Sequence, residues 1–115
     1  METMQLDVTT KDGATILRIG ENITFSNTKD FKTTLDETVA NTSGGLILDM
    51  ELVSFINSTG IGIIASAFNA LKARSASLIL FKPRPEVLRV LKIIGFDTMM
   101  PVTNDEKQAI DLCIS

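Results

Sequence analysis

The sequence predicts an α/β fold with a mixed, mostly parallel sheet of about five strands and about four helices packed on it. Short apolar segments suited to buried strands alternate with segments whose apolar residues recur at helical spacing. A turn signal also joins the first two apolar runs into a hairpin. The expected order is β-β-α-β-α-β-α-β-α, and the length of 115 residues suits one domain over residues 1–115.

The first half of the chain predicts the hairpin and one helix. Residues 11–13, Lys-Asp-Gly, are a turn signal between two alternating apolar runs. Asn27 then precedes a segment in which Phe31 and Leu35 recur at helical spacing, so Asn27 is the expected helix cap. The glycine pair at 44–45 ends the connection to the next strand.

The second half predicts buried strands that alternate with helices. Residues 46–50 and 77–81 are apolar on both faces, as interior parallel strands are. A helix is expected from about Thr59 to Ala73, and another starts at Pro85, which suits a first helical position, and ends before Gly95. The residues expected to face inward are Ile61, Ile64, Phe68 and Leu71, followed by Val87, Leu88, Leu91 and Ile94.

The C-terminal segment predicts a last short strand over residues 98–102 and a closing helix. Thr103 or Asn104 is the expected cap of that helix, which runs through Ile110 and Cys113. Cys113 is the single cysteine, lies in an apolar pattern and is expected to be a buried, inert thiol. The lack of paired cysteines favours a reducing, cytoplasmic setting.

Composition excludes several classes of function. Histidine is absent, which removes the commonest general base, the Ser-His-Asp triad and the usual transition-metal sites. Tryptophan and tyrosine are also absent, so little is available for stacking on nucleic-acid bases. No segment resembles a signal peptide or approaches the ~20 apolar residues of a membrane span. We therefore expect neither an enzyme nor a cofactor, and no nucleic-acid binding or membrane insertion.

Positive charge is concentrated in residues 72–92, although the net charge of the chain is −3. The block is either a solvated face or a docking patch for an acidic protein surface. Its cations are Lys72, Arg74, Lys82, Arg84, Arg89 and Lys92.

Residues 55–62, FINSTGIG, place two hydroxyl residues and two glycines at the start of a predicted helix. Asn57 or Ser58 can cap that helix, worth ~1 kcal/mol, and Thr59 can fill its first turn. Capping does not explain Gly60 and Gly62, each of which costs up to ~1 kcal/mol relative to alanine.

The helix face opposite the apolar stripe consists of small residues, where a solvated face usually carries Lys and Glu. We interpret this face as shaped for the close approach of another surface. A helix start also favours a phosphate by ~0.3–2 kcal/mol, so phosphorylated Ser58 is compatible with the fold. The small face comprises Gly62, Ser66, Asn69 and Ala73.

The pattern ILDM-x-x-VSFINSTGIG, residues 47–62, resembles the signature of the STAS domain, specifically of bacterial anti-sigma factor antagonists. In that family an Asp-Ser-Ser/Thr-Gly-Leu-Gly motif follows a strand and opens a helix. The similarity covers nearly the whole chain, with weaker flanking elements at residues 18–21 and 85–96.

This resemblance implies a partner-switching regulator. The unphosphorylated antagonist binds an anti-sigma factor that is also a serine/threonine kinase, and the sigma factor is released. The kinase then phosphorylates the motif serine, here Ser58, with Thr59 as the secondary candidate, and a metal-dependent serine/threonine phosphatase reverses this. The implied partner-binding residues are Asn57, Ser58, Thr59, Gly60, Gly62, Ser66 and Asn69, in a monomer or weak dimer.

Two alternatives stay open. Asn57 stands where the family usually has Asp, which keeps open a non-switching STAS scaffold, such as a stressosome-like or transporter-associated subunit. A phosphate-binding loop at residues 58–62 is the other alternative, but no P-loop lysine follows it and a GxG alone is weak.

Overall fold

A computed structural model describes residues 4–115 and confirms the α/β fold. The strands are β1 (Leu6–Lys11), β2 (Ala14–Ile19), β3 (Leu46–Asp49), β4 (Leu78–Phe81) and β5 (Val102–Thr103). The helices are α1 (Thr28–Asn41), α2 (Ser58–Lys72), α3 (Pro85–Ile93), α4 (Phe96–Met99) and α5 (Glu106–Ile114).

The five strands lie in the sheet in the order β1-β2-β3-β4-β5. β1 pairs antiparallel with β2, whereas every later pair is parallel. Asp12 and Gly13 form the expected hairpin turn, with φ angles of 50° and 85°. Positive φ at both central residues matches the right-handed twist of the two strands, which is why the Asp-Gly pair favours a hairpin here.

Helices cover both faces of the sheet. The larger core packs α1, α2, α3 and α4 against one face, through strand residues such as Leu17, Leu48 and Leu80. α5 packs on the opposite face, where Cys113 contacts the apolar cluster that includes Ile47. Cys113 is buried as expected, with 4% of its surface exposed.

Helix α2 is rotated relative to the expected stripe. Ile64 and Leu71 are buried as predicted, but Ile61 and Phe68 are only half-buried, and Ile63 and Ala67 take their places in the core. The reason is the buried start of the helix at Gly60, which packs closely against Ile23 and Ile56 and so sets which side faces inward.

The segment after α3 also differs from expectation. Gly95 lies just past the helix with φ 83°, as predicted, but residues 96–99 form the short helix α4 and the strand begins only at Val102. Ile94 is exposed because it lies beyond the last turn of α3, outside its apolar stripe. Leu88, also expected inward, is half-buried.

Asp105 caps α5, so the expected cap at Thr103 or Asn104 is wrong. The Asp105 carboxylate accepts hydrogen bonds from the backbone N–H groups of Lys107 and Gln108. Thr103 is held in β5, where its hydroxyl accepts a hydrogen bond from the Asp105 backbone N–H.

The basic block of residues 72–92 is not one patch. Arg74 donates to the carbonyl oxygens of Thr42 and Gly44, before the start of β3. Lys82 pairs with Glu51, after the end of β3. These two cations therefore lie at opposite ends of the sheet and stabilise different loops.

Candidate functional site

Two loops meet at the carboxyl ends of β2 and β3, residues 20–27 and 50–57. Their backbones form a single parallel bridge between Ile23 and Ile56. The Ile23 N–H donates to the Phe55 carbonyl at 3.0 Å, and the Asn57 N–H donates to the Ile23 carbonyl at 3.0 Å. This bridge extends the parallel sheet by one step and brings the chain to the start of α2.

The Asn22 side chain joins the two loops through hydrogen bonds. Its Oδ1 accepts hydrogen bonds from the Ser54 N–H at 2.7 Å, the Ser54 hydroxyl at 3.0 Å and the Phe55 N–H at 3.2 Å. Ser54 lies 32 residues away along the chain. Sequence reasoning missed Asn22, since no local pattern indicates so distant a partner.

Asn27 occupies the position before α1, as expected, but its side chain does not cap the helix. Its Oδ1 accepts from the Thr24 N–H at 2.9 Å, while its Nδ2 donates to the Asn22 carbonyl at 2.7 Å and to Glu21 Oε1 at 3.2 Å. Only 8% of Asn27 is exposed. A buried amide that uses both of its polar groups holds the 20–27 loop in one conformation.

Asn57, and not Ser58, caps α2. Its side-chain oxygen accepts from the Gly60 N–H at 2.8 Å. Ser58 is therefore the first helical residue, and both Ser58 and Thr59 are exposed. Because Asn57 caps the helix, capping does not explain why a hydroxyl residue stands at Ser58.

The first turn of α2 contains no acidic residue, unlike the other four helices of the described chain. An acidic side chain near a helix start balances the partial positive charge of the free N–H groups. At α2 that charge is uncompensated, which favours an added anion. The acidic first-turn residues elsewhere are Asp30, Glu86, Asp97 and Glu106.

The two glycines of the motif have different surroundings. A Cβ added at Gly60 would lie 2.6 Å from Ile23 Cγ2 and 3.0 Å from Ile56 Cγ1, so the fold requires a glycine there. A Cβ added at Gly62 would meet nothing within 4 Å. Packing within the chain therefore explains Gly60 and leaves Gly62 unexplained.

The small face of α2 is exposed at Gly62, Ser66 and Asn69, as the sequence predicted. Its first part borders a groove of about 420 Å³ between α1 and α2. Asn69 lies further along the helix and does not line this groove. The groove is lined by Thr28, Lys29, Lys32, Asp36, Thr59, Gly62, Ile63 and Ser66.

Two exposed phenylalanines on the bridged loops were missed by the sequence reasoning. Phe25 is 94% exposed, and Phe55 is 53% exposed. Phe25 is two residues from Ile23, whose backbone N–H donates to the Phe55 carbonyl, so both phenylalanines lie on the bridged loops that precede α2. Exposed aromatic side chains on ordered loops are typical anchors of protein interfaces.

The fold and this surface define a small α/β domain that displays an exposed serine at the capped start of a helix. The chain belongs to the STAS domain family, since the sequence model of the STAS domain matches residues 5–109. No helix in the described part, residues 4–115, is both long enough and apolar enough to cross a membrane.

The chain is similar to a protein of Listeria monocytogenes named anti-sigma-B factor antagonist. The two are 33% identical over 64 residues, which is 54% of this chain and 56% of the relative. The match thus spans little more than half the length of that relative.

Solved structures of low sequence identity share the fold. An anti-sigma factor antagonist from Mycobacterium paratuberculosis has a TM-score of 0.85 at 19% identity, and the match covers 96% of this chain and 94% of that one. SpoIIAA in its unphosphorylated form has a TM-score of 0.75 at 23% identity, covering 95% and 94%. Bacillus SpoIIAA in its phosphorylated form has a TM-score of 0.70 at 21% identity, covering 95% and 97%.

Proposed function

We propose that this chain is an anti-sigma factor antagonist whose binding is switched off by phosphorylation of Ser58. The unphosphorylated form binds an anti-sigma factor that is also a serine/threonine kinase, and this binding releases the sigma factor. A metal-dependent serine/threonine phosphatase restores the binding form. This cycle of binding, phosphorylation and dephosphorylation takes place in the cytoplasm.

The observation that carries the proposal is the position of Ser58. Ser58 is exposed and is the first residue of α2, which its neighbour Asn57 caps. The first turn of α2 contains no acidic residue. A phosphate at this position meets free backbone N–H groups and the positive end of the helix, so the fold tolerates it. The similarity to a structure described as phosphorylated supports the same interpretation.

The switch works through the contact surface and not through a change of fold. The proposed interface consists of the α2 start and its small face: Asn57, Ser58, Thr59, Gly62, Ser66 and Asn69. Gly60, expected in this set from the sequence, is buried beneath the surface and supports it. A phosphoserine brings about −1.5 to −2 charges into this contact. If the charge is left unpaired and desolvated, the complex weakens by ~2–5 kcal/mol, which is roughly a 30- to 5000-fold loss of affinity.

A pull-down with the unmodified chain and with its Ser58→Asp variant tests the proposal. We expect the unmodified chain to retain a kinase partner, identified by mass, that the variant loses. Ser43→Asp is the matched control, because Ser43 is exposed and lies in the loop before β3, at the opposite end of the sheet from the start of α2.

The purified kinase and ATP then locate the phosphate. We expect one phosphate per chain, which Ser58→Ala abolishes and Thr59→Ala leaves in place. Incorporation that is lost only on changing Thr59 moves the site to that residue. A partner kinase that transfers no phosphate to either residue refutes the switch.

Asn57 favours a second candidate, a STAS scaffold that binds through the same surface without phosphorylation. The Asn57 amide caps α2 as well as a carboxylate would, but it lacks the charge usual at this position of the family motif. This candidate predicts a stable large assembly in light scattering and no phosphate on the chain isolated from cells.

A further inference from the structure

Strand β1 leaves a long edge of the sheet open. It pairs with β2 on one side, and no other strand among residues 4–115 pairs with it. Its six residues run in unbroken register with β2, and every one except Leu6 is exposed. An edge of this length without a bulge or a proline is a template for another strand.

The hairpin fixes which backbone groups face outward. A two-residue turn is closed by a pair that exchanges hydrogen bonds, here Lys11 and Ala14. At the other end of the strand, the Gly20 N–H donates to the Gln5 carbonyl at 2.8 Å. The odd-numbered residues of β1 therefore direct their N–H and C=O groups toward β2. The N–H and C=O groups left pointing away from β2 are therefore those of Leu6, Val8 and Thr10.

The side chains of β1 are complementary to a second copy of the same strand. Asp7 and Lys11 lie two positions on either side of Thr9 and share the face that α5 covers, where Lys11 pairs with Glu106. In an antiparallel pair centred on Thr9, Asp7 of each copy lies opposite Lys11 of the other. These positions are non-hydrogen-bonded pairs, in which opposite side chains come closest.

We propose that β1 is a homodimer interface, in which two copies join antiparallel about Thr9 and their five-stranded sheets become one. Val8 of each copy, 51% exposed in the monomer, then lies opposite Thr10 of the other. Both residues line a groove of about 340 Å³ between β1 and α1. One strand per copy buries less than the ~800 Å² per partner of a standard interface, so the dimer is weak and reversible.

The dimer leaves the α2 start free. The two-fold axis reverses the strand direction, so the carboxyl ends of β3 in the two copies point opposite ways and the Ser58 surfaces lie at opposite ends of the joined sheet. The proposal therefore stands on β1 alone and does not depend on phosphorylation.

Sedimentation over a concentration series tests the dimer through charge exchange. Asp7→Lys places two lysines opposite each other at both contacts, and Lys11→Asp places two aspartates there. Each variant alone should associate on the order of tenfold more weakly than the natural chain, because attraction at two pairs becomes repulsion. An equimolar mixture should associate again, since every cross-pair then joins a lysine to an aspartate.

Two further variants complete the test. Val8→Pro removes an outward N–H and not a bond of the β1–β2 ladder, so the fold should persist while association is lost. Asp111→Lys changes an exposed charge on α5 and should leave association unchanged. A natural chain that is monomeric at every concentration overturns the proposal, and so does a mixture that associates no better than its two components.

Discussion

Helices α2 and α5 begin with the same local device and differ in charge. Asn57 caps α2 through the Gly60 N–H, and Asp105 caps α5 through two backbone N–H groups. At α5 both the cap and Glu106 are acidic, which balances the positive end of the helix. At α2 the cap is neutral and the first turn has no acid. The comparison indicates that the α5 start is complete for stability, whereas the α2 start leaves room for an added negative charge.

Gly60→Ala should have the largest effect on the α2 start. The new methyl group would lie 2.6 Å from Ile23 Cγ2 and 3.0 Å from Ile56 Cγ1, so the bridged loops must shift. Overpacking of this kind costs ~1–3 kcal/mol of the free energy of unfolding. Urea denaturation measures the loss, and an unchanged midpoint would contradict the tight packing described at this position.

Removal of the α2 cap or the α5 cap should lower the free energy of unfolding by less than Gly60→Ala does. The two variants should also show which helix start takes part in binding. Asn57→Ala and Asp105→Ala each lose a side-chain acceptor and should lower the free energy of unfolding by ~1 kcal/mol. Only Asn57→Ala should also change the affinity for the proposed kinase partner, as calorimetric titration would show. Equal loss of affinity in both variants would mean that stability alone governs binding.

Gly62→Ala should have a smaller effect on stability and of opposite sign. Its methyl group meets nothing within 4 Å, and alanine favours the helix by ~0.4–1 kcal/mol. We expect a higher denaturation midpoint together with weaker partner binding, because the methyl group lies in the proposed interface. Increased stability with unchanged binding would remove Gly62 from the interface.

The buried Cys113 thiol on α5 should have the smallest effect on the free energy of unfolding, and this effect should appear only at alkaline pH. Burial raises the pKa of the Cys113 thiol, so its neutral form is favoured in the folded chain. Below the unfolded pKa of about 8.5, both states are protonated and this contribution is fully present. Above it the unfolded chain ionises first, and stability falls until the folded pKa is reached.

Denaturation at pH 7 and at alkaline pH, for the natural chain and for Cys113→Ala, measures this effect. The variant loses packing at both pH values, so only the difference between the two pH dependences reports the thiol. The natural chain should lose more stability on going to alkaline pH. Parallel pH dependences in the two proteins would contradict the raised pKa.

The sequence predicted the order of strands and helices because each segment carries a clear periodicity or a turn signal. It did not predict the rotation of α2, since isoleucines at positions 61, 63 and 64 leave the apolar face undefined within one turn. The close approach at Gly60 decides between them, and this contact exists only in the folded chain. The prediction of the α5 cap was wrong for a similar reason. Thr103, Asn104 and Asp105 are all good helix caps, and the pairing of Thr103 in β5 selects Asp105.

The candidate site was predictable where it is local and not where it is tertiary. The start of α2 and its small face follow from local spacing, and Ser58, Thr59, Gly62, Ser66 and Asn69 are exposed as that spacing indicated. The support from Asn22 was not predictable, since its three hydrogen bonds join loops 32 and 33 residues apart in the chain. Helical spacing likewise cannot show that Phe25 stays 94% exposed.

The strand order β1-β2-β3-β4-β5 has a consequence for how this protein meets other molecules. Open α/β sheets bind nucleotides in the crevice where the strand order reverses direction. Here each parallel strand is added beside the one before it, so the order never reverses and no such crevice opens between the strands. Ser58 accordingly stands exposed at the carboxyl end of the sheet, as the proposed switch requires, since a kinase must reach the serine.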